Sequence, residues 1–470
     1  MKTALTSAEK IWREHVIASL GDGVDLLHID RHFLHELSGA MSFKGLDAAN
    51  RRVFDRGLTF ATIDHVVDTY TGRGLTSSTP GGDGFLRAFV DGVQRHKVTF
   101  FGIEDARQGI THVIAAEQAI ALPGTTFVCG DSHTTTVGSV GALAWGIGST
   151  DGEQVLATQT LTMSKPRTMR VRFDGVLPPG TSAKDMVLKL ISTIGADGAT
   201  GYAVEFAGNV MRVLPISARA TICNMASEMS ARFGFVPCDD TTLDYLYGRP
   251  FAPSGAAWES AARYWRSLAS DDEATFDAEV AIDCDDLEPF VTWGTSPEHA
   301  MPISSVVPEE SRRLDAVARA DFFRALSYMD VTPGQRMVGL PISGAFIGSC
   351  TNSRLDDLRE AARVLRGRRV ADGVQAICTP GSSAVKRDAE AEGLDAVFKA
   401  SGFEWREPGC SLCMSAGGES FLPGSRIVSS TNRNFEDRQG PGVRSHLASP
   451  ATVAASAIVG ALADPRPYLQ

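Results

Sequence analysis

Several classes of protein are excluded by what this sequence has little of. The strongly apolar stretch Ala451 to Ala463 is too short to span a bilayer and reads as a buried helix, so no membrane partner is expected. The N-terminus carries Glu9 and Glu14 among its apolar residues and lacks the continuous apolar region of a secretory leader, so no export is implied. Basic charge is also short: 45 Lys and Arg against 56 Asp and Glu leave a net charge of −11. Neutralising phosphates needs a basic face, so no nucleic-acid partner is expected. The best basic run, Arg366-Gly367-Arg368-Arg369, reads as a solvated helix end. Eight cysteines scattered over 470 residues read as reduced thiols of a cytoplasmic protein, not as a disulfide framework. No internal repeat or low-complexity tract is visible. The glycine-rich Gly146 to Gly152 misses the dinucleotide fingerprint and has no Walker lysine, so no nucleotide is expected.

What remains is a long chain with 43% apolar residues, enough for two to four domains. Short β-rich runs alternate with helical patterns and glycine turns, which predicts α/β layers with largely parallel sheets. The texture shifts around Met163 to Arg172, with Lys165-Pro166 as a linker, and a last unit starts near Arg312. Three units follow: 1-165, 166-311 and 312-470.

Chemistry concentrates in a few stretches. Gly348-Ser349-Cys350-Thr351-Asn352-Ser353-Arg354 is followed some sixty residues later by Pro408-Gly409-Cys410-Ser411-Leu412-Cys413. Three soft thiolates suit an iron-sulfur cluster with one iron free of protein ligands. The spacing alone equally allows a zinc completed by a histidine, or a chance arrangement. Ala345 to Gly348 reads as a buried strand, and Leu355, Leu358, Ala362 and Leu365 form a helical stripe. Cys350 is therefore expected at a strand-to-helix turn, near the positive end of a helix dipole that favours its thiolate. Asp64-His65, His112 and Asp131-Ser132-His133 each end a short apolar run. Carboxylates beside imidazoles suit proton transfer, although a single loop histidine is more often merely hydrogen-bonded. His28, His32, His35 and Glu36 form a second cluster that could suggest a metal. Cys129 reads as packing.

Three long phrases, the two cysteine stretches and Asn432-Arg433-Asn434-Phe435-Glu436-Asp437-Arg438-Gln439-Gly440, occur in an order that resembles the aconitase family. The resemblance runs from about Ile11 to about Gly460, and is strongest to large subunits that isomerise 2-isopropylmalate and 3-isopropylmalate by dehydration and rehydration, in leucine biosynthesis. It implies a three-domain α/β/α aconitase-like core with largely parallel sheets, lacking the swivel domain. It implies a 4Fe-4S cluster on Cys350, Cys410 and Cys413, with Asn224 and Asn432 beside it. Asp64, His65, His112, Asp131, His133 and Glu228 match catalytic positions, and Arg433 and Arg438 match the carboxylate grips. The His28 to Glu36 stretch matches a substrate-pocket wall. In this family a serine on the swivelling domain is the carbon base, so a small subunit carrying that domain is the expected heterodimer partner. The substrate is a small diacid.

Some positions depart from the family pattern. Met41 stands where a substrate-contacting glutamine is usual, Val66 replaces an amide, Met414 to Gly418 replaces a common phrase, and Asp437 stands where glycine is usual. A lost charge-assisted hydrogen bond of about 1.5–3 kcal/mol is enough to redirect specificity. The alternative substrate is therefore another 2-substituted malate, such as citramalate, homocitrate or a secondary-metabolite diacid.

Overall fold

The computed structural model describes residues 4–309 and 316–469. Three parallel sheets carry the molecule. The first contains β1 (Arg31–His35), β2 (Thr59–Thr62), β3 (Thr99–Phe101), β4 (Thr126–Cys129) and β5 (Leu143–Gly146), in the order β3-β2-β1-β4-β5. The second contains β6 (Arg167–Asp174), β7 (Tyr202–Ala207), β8 (Phe233–Phe235) and β9 (Ala278–Asp283), in the order β8-β7-β6-β9. The third contains β10 (Gly344–Ile347), β11 (Gln375–Cys378), β12 (Phe403–Trp405), β13 (Arg426–Ser429) and β14 (Arg444–Leu447), in the order β12-β11-β10-β13-β14. All three start in the middle, run to one side, then return to fill the other.

The central strands are short because both faces are covered and each position must be apolar or satisfied. β2, β4 and β10 are buried along their whole length. Seven helices matter for the site: α1 (Glu36–Ala48), α2 (Thr111–Glu117), α3 (Ala183–Ile194), α4 (Ile216–Asn224), α5 (Leu355–Leu365), α6 (Ser383–Ala391) and α7 (Pro450–Val459). The apolar run at 451–463 supplies α7, whose residues Pro450 to Ala457 are all buried. Among the described residues no helix is long and apolar enough to cross a membrane.

Lys165-Pro166 lies between Thr160–Ser164, which belongs to a small antiparallel sheet with Val16–Gly21 and Val24–His28, and β6. The expected boundary between 311 and 312 lies outside the described residues. Cys350 sits, as expected, in the turn between β10 and α5, which begins at Leu355 with Arg354 as its N-cap.

In a doubly wound sheet the crevice opens at the carboxyl ends of the strands where the order reverses. In the first sheet that point lies between β1 and β4, and in the third between β10 and β13. The chemistry-bearing phrases begin within a few residues of those strand ends, and the two crevices meet: the Cys410 amide donates to the Asp64 carbonyl at 2.7 Å.

Candidate active site

The loop after β2 presents Asp64 and His65, the loop after β4 presents Asp131, and the 3-10 turn that follows it carries His133. His112 comes from the first turn of α2. The Asp64 Oδ1 and His65 Nδ1 atoms are 2.6 Å apart, and His65 Nε2 is 2.9 Å from Asp131 Oδ2. Asp131 Oδ1 lies 3.3 Å from His112 Nε2 and 3.4 Å from His133 Nδ1. One carboxylate thus faces three imidazoles. Burial pushes Asp131 up, but the imidazoles of His112, His133 and His65 outweigh it and hold the carboxyl well below its ordinary range. Burial pulls His65 down, yet Asp64 and Asp131 on its two ring nitrogens raise it well above the usual histidine value. His65 is thus held between two carboxylates, one on each ring nitrogen.

The loop itself is held by Glu36, a role different from the metal site or pocket wall that the sequence suggested for its stretch. Its fully buried carboxylate accepts hydrogen bonds from the backbone N–H groups of Asp64 (3.0 Å), His65 (2.7 Å) and Val66 (2.5 Å). The His35 ring stacks on His65 at 4.1 Å. The His28 to Glu36 side chains do not converge on one point: His35 and Glu36 gather with Asp64 and His65 instead. His28 pairs with Asp30 on a side chain 42% exposed, His32 is buried apart, and both Glu36 oxygens are taken by backbone.

The middle unit closes the other side. α4 ends at Asn224, and the 3-10 turn after it carries Glu228. Glu228 Oε1 is 2.7 Å from His133 Nε2 and 2.8 Å from Arg433 Nε. Burial raises the Glu228 carboxyl, but His133 and Arg433 bring it below its ordinary value. A continuous chain follows: Asp64, His65, Asp131, His133, Glu228, Arg433. Arg433 also lines a cleft of about 610 Å³ together with Ser132, Thr135 and Ser227. Such a set of donors beside a guanidinium suits a carboxylate.

The three cysteines are all buried and free. Asn224 Nδ2 donates to Cys350 Sγ at 3.1 Å and Asn432 Nδ2 to the same sulfur at 3.5 Å. Arg438 Nη2 lies 3.7 Å from Cys413 Sγ, and Cys410 Sγ is 3.9 Å from Asp64 Oδ2. Burial, with Cys413 beside it, pushes Cys350 up to about 12, and burial raises Cys410 well above the ordinary thiol value. Such thiols ionise only with a cation to hold them, and the amide and guanidinium donors aimed at their sulfurs fit a sulfur-rich centre. One zinc fits poorly. Its thiolates, about 2.3 Å from the metal, sit within roughly 4 Å of one another. Among the described residues the group of metal-capable side chains whose ligand atoms lie within 4.8 Å of one another is His35, Glu36, Asp64 and His65, not the cysteines.

Two further buried ions brace these loops. Glu419 accepts from the Thr69 amide at 2.6 Å, from Ser411 Oγ at 2.5 Å and from Arg406 Nη1 at 3.1 Å, tying the loop after β2 to the turn between Cys410 and Cys413. Lys184, on α3, is fully buried and donates to the carbonyls of Ser430 (2.9 Å) and Thr431, immediately before Asn432 and Arg433.

The side chains at three of the departures from the family pattern are placed as follows. Met41 is 49% exposed on α1 and offers no polar group to the cluster of hydrogen bonds. Val66 is buried in an apolar cluster with Leu34, Ile63 and Leu86. Asp437 has φ 62°, a conformation glycine adopts freely, and its carboxylate accepts from the Gly442 amide at 2.6 Å.

Comparison with known proteins follows the same lines. The model of the aconitase family (aconitate hydratase) matches residues 9–460. The 3-isopropylmalate dehydratase large subunit 1 of Bradyrhizobium diazoefficiens is 51% identical over 461 residues, covering 98% of this chain and 96% of its own. Among solved structures, aconitase X of Thermococcus kodakaraensis in its holo form is similar at 11% identity and a TM-score of 0.45, covering 87% of this chain and 84% of its own.

Proposed function

The chain belongs to the aconitase family, and from that premise we propose that it is the large subunit of a hydro-lyase interconverting 2-isopropylmalate and 3-isopropylmalate through the dehydrated alkene, in leucine biosynthesis. The observation that carries the reading is the 51% identity, over nearly the whole of both chains, to a protein named for that reaction. Family membership implies a 4Fe-4S cluster. Cys350, Cys410 and Cys413 are the residues that would hold it. When bound, the cluster supplies an iron without a protein ligand, a Lewis acid for the departing hydroxyl.

The chain's own residues then have distinct work. Arg433 is pinned by Glu228 through Nε, which leaves its Nη groups for a substrate carboxylate, with Arg438 as the second grip. His133 Nε2 and Glu228 Oε1 share one hydrogen, which lies behind the Arg433 side chain that lines the cleft. Asp131 keeps the imidazoles of His65, His112 and His133 oriented. A small subunit carrying the swivel domain, the expected source of the carbon base, completes a heterodimer.

Of the departures behind the alternative substrate, Val66 packs in a core and Asp437 shapes a turn. Co-purification with the small subunit, without oxygen, tests the reading. The complex is expected to hydrate isopropylmaleate with higher kcat/KM than methylmaleate, whereas the reverse preference would sink the isopropylmalate assignment.

A further inference from the structure

The segment that carries Asn432 and Arg433 has no ladder to hold it. It leaves β13 at Ser429, and among the described residues no backbone-to-backbone hydrogen bond involves Asn432, Arg433 or Asn434. A buried stretch of this kind is fixed through side chains instead. Before Arg433, the Lys184 ammonium grips the Ser430 and Thr431 carbonyls. After it stands Asn434, only 1% exposed, whose Nδ2 donates to the Gly294 carbonyl at 2.6 Å, the Ser445 carbonyl at 3.1 Å and Thr292 Oγ1 at 3.1 Å.

Two of these three acceptors are carbonyls, which cannot donate in return, so the position calls for amide hydrogens and turns Oδ1 away; that oxygen is buried without a partner. The acceptors belong to different elements. Thr292 ends the strand Phe290–Thr292, which pairs with Ala300–Pro302, and Gly294 follows it, whereas Ser445 lies on β14. Thr292 is itself held, since its Oγ1 accepts from the Leu447 amide at 2.8 Å and its carbonyl lies 2.7 Å from His446 Nδ1. Asn434 therefore ties the segment to two elements that are already fastened to each other.

We propose that Asn434 is a positioning residue for the reaction: paired with Lys184 across Arg433, it fixes the backbone from which Arg433 reaches Glu228 and presents its Nη groups to a substrate carboxylate. This rests on the role proposed above for Arg433. Asn434 acts through that guanidinium and not on substrate directly, so its loss should weaken binding of the diacid more than the turnover that follows.

Hydrogen exchange and steady-state kinetics on the intact, iron-loaded complex test this with Asn434→Ala. Amides of residues 430–436 should exchange at least about tenfold faster while those of β10 and β13 keep their rates, which separates a loosened segment from a loosened fold. KM for isopropylmaleate hydration should rise about tenfold, with kcat within about threefold of wild type. In an Arg433→Lys background the same substitution should add less than about threefold, because changes that act through one group are not additive. Lys184→Met, which frees the other anchor, should move exchange and KM in the same direction, so the test survives a failure of Asn434→Ala to fold. Unchanged exchange overturns the proposal, as does an unchanged KM or an effect of full size in the Arg433→Lys background. The dehydratase reading is judged separately, by whether the wild-type complex hydrates isopropylmaleate. If methylmaleate proves the better substrate, KM is read on that acid, and exchange needs no substrate at all.

Discussion

At the scale of single residues, charge is not free to wander in this site. Glu228 takes a hydrogen bond from His133 and another from Arg433, so its carboxylate is both oriented and kept ionised. Glu228→Gln keeps the shape and removes the charge. Its kcat is expected to fall about 10²- to 10⁴-fold, with iron content unchanged, since Glu228 touches none of the three thiols. Steady-state kinetics beside an iron assay checks both halves. Lys184 makes a different case. Burial lowers its ammonium to about 7, whereas in the unfolded chain it titrates near 10.5. Above pH 7 the unfolded chain therefore binds more protons at this residue, so its contribution to stability grows as pH rises towards 10.5. Wild-type stability minus that of Lys184→Met should accordingly increase from pH 7 to pH 9, by on the order of 1 kcal/mol per pH unit at most. Urea unfolding at each pH measures it, and a flat difference would show that Lys184 stays charged when folded.

At the scale of elements, the loops at strand ends are set by backbone rather than by side-chain reach. Glu36, the first residue of α1, accepts from three consecutive amides and so fixes the loop on which Asp64 and His65 ride. Val66 is the third of those amides, and its side chain packs into the core. Val66→Asn is therefore expected to lower stability by about 1–3 kcal/mol through an unsatisfied buried amide, without moving preference between isopropylmalate and citramalate. Asp437→Gly relieves a positive φ but loses the Gly442 contact, and should change stability by less than about 1 kcal/mol, again with preference unchanged. A changed substrate ratio in either variant would return these positions to the substrate site. Asp64, Asp131 and Cys350 stood out because apolar runs stop just before them, and Arg433 stood out only through the family phrase around it. Glu36, Lys184 and Glu419 did not: a charged residue at a helix start or in a loop normally faces water, and only the tertiary arrangement buries these three.

At the scale of the molecule, the repeated strand order is invisible in the sequence, since it is a property of which strands pair and no residue pattern recurs with it. The parallel α/β class was legible from short apolar runs alternating with helical ones. Cluster ligation should also register globally. Ligands that bind only the folded state stabilise it, so anaerobic removal of iron with a chelator is expected to lower Tm, by roughly 2–4 °C for each kcal/mol lost. Cys413→Ser should show the lower Tm from the outset and gain nothing from added iron and sulfide, as followed by calorimetry with and without reconstitution.

The distribution of the site among the sheets also bears on the order of events during synthesis. The acid–base groups hang from the first and second sheets, whereas all three thiols hang from the third. Domains emerging from a ribosome fold N-terminal first. The proton-handling half is thus translated before any cysteine of the iron-holding half, and Asn224 is in place before the sulfur it will contact. Metal capture becomes a closing step, made by the last unit against a surface already built, so a chain stalled midway carries histidines and carboxylates but no thiolate trio with which to scavenge iron.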